Sequence, residues 1–199
     1  MSKSVRHQFA LQFDPQEIER LAERYDYPSD APAPDAGSRI RSGSFKRADV
    51  EAIFEWKTKG RGRSRRKKNS DDEITDVLSL ALQAKTARAA ISVLCGLRGV
   101  NVPVASAILT AIAPEHFTVI DFRVLEALGC DGKSPSVDFY LEYLESCRLL
   151  SAQHHVELRK LGRALWQWSK ERKSEPSAPG LKGGQSHKAH SVKCQKAVS

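Results

Sequence analysis

A mainly α fold is what the sequence predicts, and three observations carry that expectation. Apolar residues recur at three- and four-residue spacing, capping residues precede several of those runs, and no alternating run is long enough for a convincing sheet. Asp14-Pro15-Gln16-Glu17 starts the first helix, with an aspartate cap, a proline in the first turn and a glutamate three residues on, and the helix is expected to run to about Tyr25. "YPSDAPAPDAGS" (27–38), with three prolines and a glycine, is expected to be a loop. A helix over about Arg47 to Lys57 follows, carrying Val50, Ile53, Phe54 and Lys57 on one stripe, and Gly60 and Gly62 end it inside a basic loop, 59–69. "NSDDEITDVLSLALQAK" opens on capping residues and an acidic first turn, as the helix dipole prefers. A helix from about Thr86 to Leu97 enters a helical hairpin spanning about 88–112, and two more helices are expected near 136–149 and 153–171.

The 199 residues suffice for one domain, or for two small lobes sharing a cleft, assigned to 1–172. Residues 173–199, rich in Pro, Gly and Ser, are expected to form a disordered basic tail. No apolar run approaches the roughly 18 residues that span a bilayer, and "MSKSVRHQFALQF" lacks a signal-peptide core, so the expected location is the cytoplasm, at the nucleoid if the source is prokaryotic. Cys95, Cys130, Cys147 and Cys194 form no CxxC pair, so reduced thiols are expected rather than a disulfide framework.

The formal net charge is +8, and residues 59–68, "KGRGRSRRKK", hold seven basic side chains without an acid. Five lysines against Glu175 in 173–199 supply about half of the excess. This distribution favours a polyanionic partner, above all nucleic acid, with solvated charge without a partner as the equal alternative for a basic run. Neither a Walker-type loop nor a dinucleotide fingerprint occurs.

In "LRGVNVPVASAIL", Gly99 and Asn101 best tolerate a positive φ and bracket Val100, which is expected to point inward. Val102 and Pro103 fall in the next helix's first turn, and Ala105, Ser106 and Ala107 permit a close helix crossing. Such a turn presents backbone N–H groups to phosphate without reading bases. The pattern L-R-G-V-N-x-x-x-A resembles the helix-hairpin-helix signature, L-P-G-V-G-x-x-x-A. Asp121 lies 22 positions beyond Gly99 within "FTVIDFRVLEAL". Together they resemble the helix-hairpin-helix (HhH-GPD) DNA glycosylase superfamily, over about 35 residues of this chain.

The resemblance implies a two-lobed helical fold, duplex DNA as partner, and Asp121 as the catalytic carboxylate. It departs from the family at Asn101, in place of a second glycine, and at Pro103, where strand-cleaving members carry a lysine. The implied activity is therefore that of a monofunctional DNA glycosylase without a lyase step. Members with an iron–sulfur cluster carry four cysteines after the aspartate helix, whereas only Cys130, Cys147 and Cys194 follow it here, so neither a cluster nor another metal or cofactor is expected. A monomer is expected.

A carboxylate suits this chemistry because breaking an N-glycosidic bond builds positive charge on the sugar, which a fixed anion stabilises while orienting or deprotonating water. Asp121 is also placed to cap the following helix, and the two roles are compatible. The candidate DNA contacts are Gly99, Val100, Asn101, Val102 and Pro103 in the hairpin, and Arg61, Arg63, Arg65, Arg66, Lys67 and Lys68 in the basic loop. Arg123 is placed either to touch phosphate or to cover its helix. Trp56, Trp166 and Trp168 are candidates to stack on an extruded base, with packing the more ordinary role. His116 is assigned to a turn, His154 and His155 diverge on a helix, and His187 and His190 fall in the tail. Two readings rival a glycosylase: a catalytically inactive helix-hairpin-helix DNA-binding protein, and an all-α protein-interaction module whose charge is incidental. Salt-dependent duplex binding separates the module from the other two, and base release separates those two from each other.

Overall fold

The computed structural model describes residues 7–27, 32–131 and 135–174, with side chains to 172. Among these residues there are ten α-helices and no strand: α1 (Ile18–Glu23, entered through a 3₁₀ turn at Pro15–Glu17), α2 (Pro32–Arg41), α3 (Arg47–Thr58), α4 (Arg63–Arg66), α5 (Asp71–Gln83), α6 (Ala87–Leu94), α7 (Val102–Ile112), α8 (Phe122–Ala127), α9 (Val137–Gln153) and α10 (Leu158–Ser174). The mainly α expectation holds. Apart from residues 173 and 174, which belong to α10, the basic tail lies outside the described residues, together with His187, His190 and Cys194.

Local signals explain most helix starts. Asp14 caps the 3₁₀ turn by accepting from the N–H of Gln16, and Ser70 with Glu73 forms a complete capping box at α5. The stretch expected to be a loop, 27–38, is largely the helix α2. Pro32 and Pro34 sit in its first turn, where N–H groups have no intrahelical acceptor, so neither breaks it. Ala33, Ala36 and Ile40 are buried on α3 and α7, and Gly37 lies so close to α7 that a Cβ there would stand 1.9 Å from the carbonyl oxygen of Ala111. The buried Asp49 of α3 accepts from Arg39 Nε of α2 at 2.7 Å, fastening the same pair.

Helix α7 packs against α2, α3 and α6, while α10 packs against α1, α8 and α9. The buried side chains of both groups form one continuous core. Helix α9 runs four residues beyond the expected 149, and its turn to α10 is made at His154–Glu157, with His155 in the left-handed region at φ 54°. His154 and His155 are therefore turn residues, not neighbours on a helix as the sequence suggested. No helix among the described residues is long and apolar enough to cross a membrane.

Candidate functional site

The segment before α8 has no regular secondary structure, and side chains from three helices fix its backbone. Ser106 of α7, small enough to lie against it, accepts from the N–H of Ile120 at 3.1 Å. Tyr140 and Tyr143 of α9 donate to the carbonyls of Thr118 and Val119 at 3.2 and 2.8 Å. Burial pushes both phenols well above their ordinary pKa, so each is held as an O–H donor. Lys57 of α3 reaches the carbonyl of Ile120 at 3.4 Å. These bonds leave the chain little freedom in where it delivers the next residue, Asp121.

Asp121 caps α8. Its Oδ1 accepts from the N–H groups of Arg123 and Val124 at 3.0 and 3.3 Å. Its Oδ2 faces Lys57 Nζ at 3.1 Å, and the two side chains are only 24% and 12% exposed, so water screens this pair less than it would a surface pair. The pair stands in a narrow slot walled by Tyr25, Tyr27, Trp56 and Trp166. Arg159 and Arg163 of α10 line the same slot. The rings meet edge to face: Tyr25 and Tyr27 approach Trp166 with centroids 5.3 Å away, and Tyr27 approaches Trp56 at 6.0 Å. The indole N–H of Trp56 is buried and has no hydrogen-bond partner.

Lys57, like Tyr25, Tyr27, Arg159 and Arg163, is a slot residue that the sequence did not single out. Its signal was present, since a lysine on a stripe shared with Val50, Ile53 and Phe54 needs an acceptor once that face is buried. Two of the three tryptophans, Trp56 and Trp166, line the slot, whereas Trp168 stacks on Phe13 at 5.6 Å.

The hairpin turns as expected at Gly99, in the left-handed region at φ 82°, and Val100 is buried. Asn101 does not take the left-handed conformation that its place in the motif suggested. It is extended (φ −110°, ψ 175°) and caps α7 by accepting from the N–H of Val104 at 3.2 Å. Since Pro103 has no N–H and that of Val104 is occupied, the backbone donors left at this helix start are those of Asn101 and Val102, in the unpaired first turn.

The basic loop is built onto the hairpin. Buried Asn69 accepts from the N–H of Arg98 at 2.8 Å and donates to the carbonyls of Arg66 and Arg98, both at 3.0 Å. Gly99 leaves room for this arrangement, because a Cβ there would stand 2.9 Å from Arg66 Cγ. Within the loop, Arg61, Arg63, Arg65, Lys67 and Lys68 are exposed, and Arg63 pairs with Glu55 at 2.9 Å. Arg66 corrects the expectation that it contacts phosphate. It is 1% exposed, lies on the Phe54 ring at 4.7 Å, and donates to the carbonyl of Arg61. Arg66→Ala is expected to lower stability by ~2 kcal/mol through the void it opens, leaving any salt dependence of binding unchanged; a urea melt and a salt titration check this.

Arg123 lies between two rings, 5.1 Å from both Phe122 and Trp166, with a 3.5 Å contact to Ser169 Oγ. It therefore packs on its own helix and on Trp166 and does not line the slot. His116 is exposed and does not line the slot. Burial pushes the Cys147 thiol up to about 12, which makes it a poor nucleophile. Among the described residues no group of three or more His, Cys, Asp or Glu converges as a metal site.

The chain was compared with protein-family models, curated proteins and solved structures, and it matches none of them.

Proposed function

We propose that the chain is a divergent member of the helix-hairpin-helix DNA glycosylase superfamily, with a two-lobed fold, acting on duplex DNA as a monofunctional glycosylase. The observation that carries this reading is Asp121, an anchored carboxylate in an aromatic slot, on a segment tied through Ser106 to the hairpin helix. Helix α3, which supplies Trp56 and Lys57 to the slot, leads directly into the basic loop fused to that hairpin. In this reading phosphate lies on the hairpin N–H groups and the exposed loop cations, and the extruded base comes to the mouth of the slot, against the ring edges. Asp121 then faces the sugar, stabilises its developing positive charge and orients the attacking water.

A second reading, a catalytically inactive DNA-binding protein, is favoured by one feature: both Asp121 oxygens are already engaged, as in a purely structural cap. Release of a modified base from a duplex, leaving an abasic site, decides between the two. Because Pro103 offers no amine, the monofunctional reading expects no borohydride-trapped adduct. Lys57 does place an amine in the slot, so an adduct in wild type that Lys57→Ala abolishes would overturn that part.

Charge makes a separate prediction. Neutralising Arg61, Arg65, Lys67 and Lys68 together is expected to reduce the magnitude of the salt slope of duplex binding by up to ~3–4 units, at roughly 0.9 for each phosphate left without its cation. An unchanged slope places the binding face elsewhere.

A further inference from the structure

We infer that the Asp121 slot selects uncharged bases bearing a carbonyl, held by the Trp56 indole N–H, and turns away cationic, alkylated bases; this rests on the base-excision reading. Aromatic walls alone argue the opposite, since the negative face of a ring attracts a cation. Here, however, every ring already carries one. Arg163 lies 5.5 Å from the centre of the Tyr25 ring, Lys59 5.3 Å from Tyr27 and Arg159 5.5 Å from Trp56. Trp166 carries Arg123 at 5.1 Å, while Lys170, 5.7 Å from the same ring, is paired with Asp26. Among the described residues lining the slot, Asp121 is the one acid, set against Lys57, Arg159 and Arg163, and it is paired with Lys57. A base bearing a positive charge, such as a ring-methylated purine, would meet cations over the rings and a carboxylate already neutralised. An uncharged base gains the stacking without that repulsion.

The hydrogen-bonding groups point the same way. Lys57, Arg159, Arg163 and the Trp56 N–H can only donate, and Trp56 is 9% exposed with Nε1 buried and unpartnered. A buried donor without an acceptor is costly, and a ligand that brings an acceptor recovers that cost. Base carbonyls are such acceptors, and bases produced by deamination of an amino group to a carbonyl carry one more of them than their parents do.

The test uses the full chain and duplexes holding one 2′-fluoro-arabino nucleotide, whose fluorine disfavours the oxocarbenium ion and so blocks release. Hypoxanthine and uracil duplexes are expected to bind about tenfold or more tightly than the same duplex with 7-methylguanine, the scale of one like-charge contact at partial burial. Trp56→Phe keeps the ring and removes the N–H. It is expected to weaken binding to hypoxanthine and uracil about tenfold while leaving an abasic-site duplex bound as before. Equal or tighter binding of 7-methylguanine overturns the inference and leaves the excision reading standing, as does a Trp56→Phe variant that still binds the carbonyl bases as tightly as wild type. If no modified duplex is preferred over the unmodified one and the corresponding ordinary nucleotides release no base, the excision reading falls, and this inference with it.

Discussion

Gly37→Ala is expected to destabilise the protein by ~3 kcal/mol or more, at or beyond the upper end of ordinary overpacking. On helix propensity alone the substitution should stabilise, by up to ~1 kcal/mol, so the sign is a test of the packing. The added Cβ would stand 1.9 Å from the carbonyl oxygen of Ala111 and 2.2 Å from its carbon, and both are backbone atoms of α7. No rotamer change relieves that clash. Helix α2 must move away from α7, loosening Ala33, Ala36 and Ile40 and straining the Arg39–Asp49 bond that ties α2 to α3. Ser38→Ala, at the exposed neighbouring position, is the control and should change stability by less than ~0.5 kcal/mol. Urea melts followed by circular dichroism measure both. A Gly37→Ala variant as stable as wild type would show that α2 does not dock on α7 in this way.

The same glycine explains why α2 was hidden in the sequence. Two prolines and a glycine within a few residues read locally as a loop, yet the prolines cost nothing in a first turn and the glycine answers a neighbour far along the chain. Helix α5 was legible because its capping box is local: Ser70 and Glu73 satisfy each other's backbone within one turn. Gly99 was legible for the same reason, since its left-handed φ belongs to the turn itself. Asn101 was misassigned because its capping bond to Val104 competes with the left-handed conformation, and the cap wins. Nothing in a run of seven cations tells which one turns inward. Arg66 does so because Phe54 offers a ring and Gly99 offers space, and both lie outside the run. At the candidate site the sequence singled out Asp121, while its partner Lys57 and the aromatic walls come together only through packing of α3 and α10 around the segment before α8.

On the base-excision reading, Asp121→Asn is expected to reduce base release by about 10² or more, a loss of ~3 kcal/mol or more in transition-state stabilisation. Asparagine caps a helix about as well as aspartate, so the bonds to the N–H groups of Arg123 and Val124 have a replacement acceptor. Through the cap alone the substitution costs little stability. The structure adds a cost of ~1 kcal/mol, because Lys57, only 12% exposed, exchanges a carboxylate for a neutral amide. Duplex affinity should hold or rise, since a negative charge near phosphates has been removed. Lys57→Met supplies the other half of the comparison. It removes the cation but leaves Asp121 charged and still capping α8, so its stability loss should overlap that of Asp121→Asn in the double variant rather than add to it. The kinetic consequences differ. If the carboxylate acts on the sugar, Lys57→Met retains far more base release than Asp121→Asn, because the anion remains in place. If an active wild type loses base release equally in both variants, in proportion to stability alone, the pair serves the fold and Asp121 is a helix cap.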